Sequence, residues 1–251
     1  MPTPAKLLLP YDYIREATEL INKATSRVAF ISMVLTNDVS TDELVDALAA
    51  AAKRGVEVQV AGDMFTYTEL SGQFIPSHYY SKSVRSTTRM ARTLAGAGVD
   101  FHWLGRLNIT TVSGRTHSKW CVVDDTIFSF GGVNLYDQAL ENTDYMFRLT
   151  DHELANRLVK EQRRIVASDK ARSSYRSHSF QLDDASTVLF DAGFFGDSII
   201  YKRACELAAE SAHITLISQY CPTGKLNRLL KQTDSTVYFN QWQQASGFNR
   251  F

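Results

Sequence analysis

Two hydrophobic periods take turns along the first two thirds of this chain, and that alternation restricts the fold more than any other feature. "YDYIREATELINKAT" carries apolar residues at helical spacing, and "RVAFISMVL" is a continuous apolar run suited to a buried strand. "STDELVDALAAAAKRG" opens on Ser40-x-x-Glu43, which predicts a capping box, and closes on Gly55. "VEVQVAG" alternates as a strand should. A helix is expected near Lys82 to Ala95, stopped by Gly96 and Gly98, with the strand "VDFHWL" after it. A further helix, "DHELANRLVKEQRRIV", is expected to be capped by Thr150 with Glu153. Strands alternating with helices predict an α/β sheet buried on both faces.

The pattern then begins again. "SDKARSSYRSHSFQLDDAS", residues 168–186, is polar and aperiodic and reads as a linker. Beyond it, "YKRACELAAESAHITLISQYCPTGKLNRLLKQ" echoes the opening helix, strand and second helix. Ile31-Ser32 and Ile217-Ser218 lie 186 positions apart. The expected organisation is a first repeat over 1–167, the linker, and the start of a second repeat over 187–251. The same offset puts the counterpart of His117 past Phe251, so the second copy is expected to be incomplete.

Charge and cysteine content narrow the partners. Lys+Arg and Asp+Glu both total 27, so any attraction to anions must be local. Cys121, Cys205 and Cys221 lack metal-ligand spacing and are expected to be small buried hydrophobes in a reducing, cytoplasmic setting. No run is long enough to span a bilayer, so contact with a membrane would be peripheral.

One stretch carries chemistry. In "THSKWCVVDDTIFSFGGVN", His117 and Lys119 stand two residues apart at the start of an apolar run. Both are costly to desolvate unless an anion compensates them. Read as a hairpin turning at Asp124-Asp125, the stretch pairs positions whose numbers sum to 249. His117 then faces Gly132, Lys119 faces Phe130, and Asn134 lies beyond on their face. The glycine would leave room for a bulky anion beside the imidazole. Asp124 falls at the turn on the opposite face, where a carboxylate accepting backbone N–H groups serves the architecture. A neutral imidazole, an ammonium and an amide suit a phosphodiester: attack by His117, with Lys119 and Asn134 holding the non-bridging oxygens.

His117, Lys119, Asp124, Gly131, Gly132 and Asn134 match the H-x-K, D, G-G-x-N signature of the phospholipase D superfamily at every defined position. The flanking "VNLYDQALENTDYMFRL", with its acid at Asp144, resembles cardiolipin-synthase-like members of that family, as does "ITLISQYCPTGKL". The resemblance implies a phospholipase D-like α/β sandwich, a mixed, mainly parallel sheet flanked by helices. It implies catalytic roles for His117, Lys119 and Asp124, and substrate phosphate binding by Asn134 with Gly131 and Gly132. No metal and no cofactor are implied. Two such motifs form one site across a pseudo-two-fold axis; one histidine becomes phosphorylated while the other protonates the leaving alcohol. Only one motif occurs here, so the second half is expected from a C-terminal segment or a homodimer partner, and the isolated chain is expected to turn over little.

The resemblance makes a phospholipid the leading substrate. A nuclease acting on nucleic acid is the rival, disfavoured by overall neutrality, and an inactive phosphate-binding module is the third reading. Lys82, Arg85, Arg89 and Arg92 recur at helical spacing. That stripe reads either as a solvated face or as a surface holding anionic headgroups or a nucleic-acid backbone.

Overall fold

The structure is a computed structural model that describes residues 4–64, 66–67, 82–105, 117–173, 175–191, 198–219 and 221–239. The chain divides into two compact units, Met1–Tyr175 and Arg176–Phe251.

The first unit contains, in chain order, β1 (Lys6–Leu8), α1 (Pro10–Lys23), β2 (Arg27–Ser32), α2 (Asp42–Lys53), β3 (Glu57–Asp63), α3 (Lys82–Gly96), β4 (Asp100–Leu104), β5 (Trp120–Val123), β6 (Thr126–Ser129), α4 (Asp137–Leu140), β7 (Met146–Thr150) and α5 (His152–Lys170). Its seven strands form one sheet in the order β1-β7-β6-β5-β2-β3-β4. Only β2, β3 and β4 run parallel; β5, β6, β7 and β1 join by antiparallel pairing. The sheet is therefore mixed but not mainly parallel. A two-residue hairpin can only reverse the chain, whereas the parallel pairs need helical crossovers, and those occur only around α2 and α3.

Strand β2 shows why the sheet is covered on both sides. Val28 and Phe30 belong to the cluster formed with α1, α2 and α3. Ala29 and Ile31, one step out of phase, face α5. Full burial of side chains such as Phe30, Phe128 and Ile21 contributes about 1.5–3 kcal/mol each. Helix α1 starts at Pro10, whose fixed φ suits a first helical position, and buries Tyr13, Ala17 and Ile21. Its Glu16 is buried as well and accepts from Lys6 Nζ on β1 (2.7 Å) and Arg148 Nη1 on β7 (2.8 Å). Burial raises the pKa of Glu16, but these two cations outweigh it and hold the carboxylate ionised. On the α5 side, Gln162 accepts from Trp120 Nε1 (3.1 Å) and donates to the carbonyls of Phe30 and Gln59. Trp120 is thus a buried floor, in opposite phase to Lys119.

Helix boundaries differ from the sequence reading by one residue. Thr41, not Ser40, precedes α2, and its side chain makes no cap; its hydroxyl donates to Thr36 O instead. Ser40 N is held by Asp137 Oδ1. Asp151, not Thr150, caps α5 by accepting from Leu154 N at 2.8 Å.

The second unit has the antiparallel pair β8 (His178–Gln181) and β9 (Thr187–Phe190), then α6 (Ile199–Glu210), β10 (His213–Ser218), α7 (Gly224–Gln232) and β11 (Asp234–Phe239). Strands β10 and β11 pair in parallel over six residues. This helix, strand, helix, strand succession is that of α1, β2, α2 and β3. Residues 168–186 are not a featureless linker, since α5 runs to Lys170 and β8 lies within them. Cys121 and Cys205 are buried, but Cys221 is exposed, contrary to the expectation for all three.

Candidate functional site

The hairpin β5–β6 has the expected register. Cys121 faces Phe128, Val122 faces Ile127 and Val123 faces Thr126, leaving Asp124-Asp125 as a two-residue turn. Because β5 runs antiparallel to β2 with Trp120 opposite Ile31, Lys119 lies at the C-terminal end of the parallel strands. That end is where open α/β sheets form their clefts. The ladder stops at Trp120 and Ser129, so His117 and Gly132 are not paired by strand hydrogen bonds.

Past β6 the chain is pinned rather than paired. Leu135 N donates to Val34 O (3.1 Å) and Thr36 N donates to Leu135 O (3.0 Å), laying this segment along the exit of β2. Asn134 sits between the buried Val133 and Leu135. Its amide oxygen is buried and has no hydrogen-bond partner among the described residues. Leaving such an acceptor unpaired costs about 1–3 kcal/mol, and it is the amide N–H group, not this oxygen, that could hold an anion.

The two titrating groups are adjacent. Lys119 Nζ lies 3.3 Å from His117 Nδ1 and donates to His117 O at 3.2 Å. Lys119 is buried, whereas His117 is exposed. Desolvation by the surrounding protein, reinforced by the ammonium of Lys119, lowers the His117 pKa to about 4. Desolvation also lowers that of Lys119, to about 8, against the opposing pull of Asp144 and Asp63. Near neutral pH the pair is an uncharged imidazole beside an ammonium. That is the combination a phosphodiester-attacking site needs.

Gly131 and Gly132 both have packing roles. A Cβ on Gly132 would lie 2.8 Å from a carboxylate oxygen of Asp144, so the missing side chain makes room for that carboxylate. Asp144 Oδ1 accepts from Gly132 N (3.1 Å) and Tyr145 N (2.8 Å). A Cβ on Gly131 would lie 1.7 Å from Tyr145 O, so there the backbones of two segments touch.

His117 and Lys119 are brought together, and Asp144, bonded to Gly132 N, acts on Lys119; Asp124 is not part of this group. It lies at the far end of β5 with φ +52°, and its carboxylate accepts from the backbone N–H groups of Thr25, Ser26 and Arg27 and the hydroxyls of Thr25 and Ser26. Burial opposes ionisation, but these donors prevail and hold its pKa far below the ordinary carboxylate range. Its place is in the architecture, not beside the reacting groups.

Asp124→Ala should therefore cost about 2–3 kcal/mol in urea unfolding, since several N–H groups lose a charged acceptor. With the folded-state pKa depressed, this stabilisation is present above about pH 4 and lost as pH falls further. The gap between the native chain and Asp124→Asn should close in the same direction.

Sequence reasoning left Asp63 and Asp144 out of the site. Asp63 is 1 % exposed at the end of β3, a position foreshadowed by an acid closing an alternating strand. Lys82, Arg85, Arg89 and Arg92 are all exposed on α3; Arg106, Arg115 and His78 lie outside the described residues. Among the described residues, no group of three or more His, Cys, Asp or Glu could hold a metal ion, and no helix is long and apolar enough to cross a membrane.

Comparison with known proteins agrees with this geometry. The family described as "Cardiolipin synthase, PLD-like domain" matches residues 17–166. No curated protein matches the chain. Among solved structures, phosphatidylserine synthase from Haemophilus influenzae Rd KW20 is similar at 13% identity and TM-score 0.67, over 98% of this chain and 65% of that one. Polyphosphate kinase from Porphyromonas gingivalis is similar at 11% identity and TM-score 0.60, over 94% of this chain and 38% of that one. The phospholipase D family member Nuc from Salmonella typhimurium is similar at 16% identity and TM-score 0.48, over 65% of this chain and 93% of that one. The chain thus spans less than two thirds of the synthase and the kinase. A family match across more than half of the chain, carrying the motif whose histidine and lysine meet here, has one consequence: this chain belongs to the phospholipase D superfamily and is an enzyme of phosphodiesterase type.

Proposed function

We propose that the site cleaves or transfers a phospholipid phosphodiester, in the manner of cardiolipin synthase, through a phosphohistidine on His117. The observation that carries this reading is the neutral imidazole 3.3 Å from an ammonium, at the open end of the sheet. The family match, described as a cardiolipin synthase domain, is consistent with a phospholipid substrate.

The step balances simply. A lone pair of His117 attacks phosphorus as the P–O bond to the leaving alcohol breaks, and an imidazolium supplied by a second motif protonates the departing oxygen. Water or another alcohol then attacks, giving its proton to that second histidine, and the P–N bond breaks to restore His117. Lys119 and Asn134 hold the non-bridging oxygens throughout. A charged ammonium can only donate, so in the resting site Lys119 occupies the Nδ1 lone pair. A phosphate oxygen that draws the ammonium away releases that lone pair, so substrate arrival itself arms the nucleophile. The second histidine would come from another copy of the chain or from a further segment.

Incubation with phosphatidylglycerol and, separately, with labelled single-stranded DNA tests the substrate. The expected result is a lipid phosphodiester product and an acid-labile phosphoryl adduct on His117. Cleavage of the DNA alone would favour the nuclease reading. No adduct with either would favour a binding module.

A further inference from the structure

We infer that the exposed face of α3 is a docking surface for an anionic lipid bilayer, which brings the site to its substrate. The choice of a lipid surface over other polyanions rests on the phospholipid reading above.

Helix α3 is amphipathic by charge. Val84, Thr87, Met90 and Leu94 are buried, while Lys82, Arg85, Arg89 and Arg92 are exposed along one stripe about 15 Å long. The helix contains no acidic residue. Elsewhere in this unit Arg15, Arg27, Arg148, Arg157, Arg163 and Arg164 each sit against a carboxylate. The four cations of α3 have no ion-pair partner among the described residues. Of the chain's 17 arginines, seven sit in ion pairs among the described residues, and Arg85, Arg89 and Arg92 are not among them.

Position supports the same reading. Helix α3 lies between the parallel strands β3 and β4, so it begins at the end of the sheet that holds Lys119. Ser86 Oγ donates to Asn37 O (2.9 Å), fixing the first turns of α3 against the loop that follows β2. The stripe therefore starts at the end of the sheet that holds Lys119.

The chemistry of the stripe favours a bilayer over nucleic acid. Single strands are held by aromatic stacking as well as charge, and α3 contains no aromatic residue. Juxtamembrane cations need no such platform; each strengthens attachment to an anionic leaflet by roughly five-fold.

Vesicle sedimentation with the full chain carrying His117→Ala, so that lipid is not consumed, tests this. The expected result is binding to phosphatidylglycerol-containing vesicles but not to pure phosphatidylcholine, weakened by salt. Arg85→Gln/Arg89→Gln should lower it about 25-fold. Arg85→Glu/Arg89→Glu should lower it further, and Lys23→Glu/Lys53→Glu on other helices far less. All four positions are exposed, and unchanged circular dichroism verifies folding. Equal binding to phosphatidylcholine, or equal loss from the control pair, overturns the inference. So does stripe reversal that weakens binding to single-stranded DNA and leaves vesicles untouched. If vesicle binding follows the stripe while phospholipid is never turned over by the active chain, the docking surface stands and the proposed reaction falls.

Discussion

With an activated aryl phosphodiester, His117→Ala is expected to abolish the burst of released phenolate and reduce cleavage by about 10⁴-fold or more. The aryl leaving group departs without a proton, so this measurement does not depend on a second histidine. Removing the attacking atom leaves only binding and charge stabilisation, which is why the loss should be near complete. The pH dependence of the burst should identify the same pair. His117 must be neutral, and its pKa near 4 makes the rate rise as pH climbs through about 4. Lys119 must be charged, and its pKa near 8 makes the rate fall as pH climbs through about 8. Ordinary values would instead put these limbs near 6.5 and 10.4. A rising limb at the ordinary histidine position would contradict the desolvated, lysine-flanked imidazole.

Gly131→Ala is expected to be the most destabilising single methyl addition in the motif. Its Cβ would overlap Tyr145 O at 1.7 Å and approach Met146 Cα at 2.9 Å, and no flexible side chain can move aside. Relief requires β7 to shift, with its pairing to both β6 and β1. The cost should be about 3 kcal/mol or more, or roughly 10 °C in Tm. Gly132→Ala meets only the carboxylate of Asp144, so it should cost less stability while disturbing Lys119. Thermal melts of the two variants, compared side by side, check the ranking; equal melting temperatures would refute it.

Period and turn chemistry made most of the sheet legible. The hairpin register could be read because Asp124-Asp125 is the only break between two apolar arms, and a two-residue turn fixes every pair around it. Cap positions slipped by one because Ser40 and Thr41, like Thr150 and Asp151, are adjacent residues that can each cap: Ser40 is held by Asp137, and Asp151, the stronger cap of its pair, takes Leu154 N. Strand direction was misjudged because an apolar run does not record whether its neighbour runs with it or against it. Asp63 and Asp144 reach Lys119 from β3 and from the approach to β7, so no local spacing connects them to it. The carboxylate that packs against Gly132 arrives from twelve residues downstream, so no local spacing announces it.

The short strand β5 carries Lys119 just before it and Asp124 just after it, on opposite faces. Its pleat acts as a ruler. One residue inserted between them would rotate the ammonium toward α5 or swing the carboxylate away from Thr25–Arg27, whereas two would restore the phase at the expense of reach. The four-residue interval between Lys119 and Asp124 is thus a length standard set by backbone geometry, with no reacting atom needed to explain it.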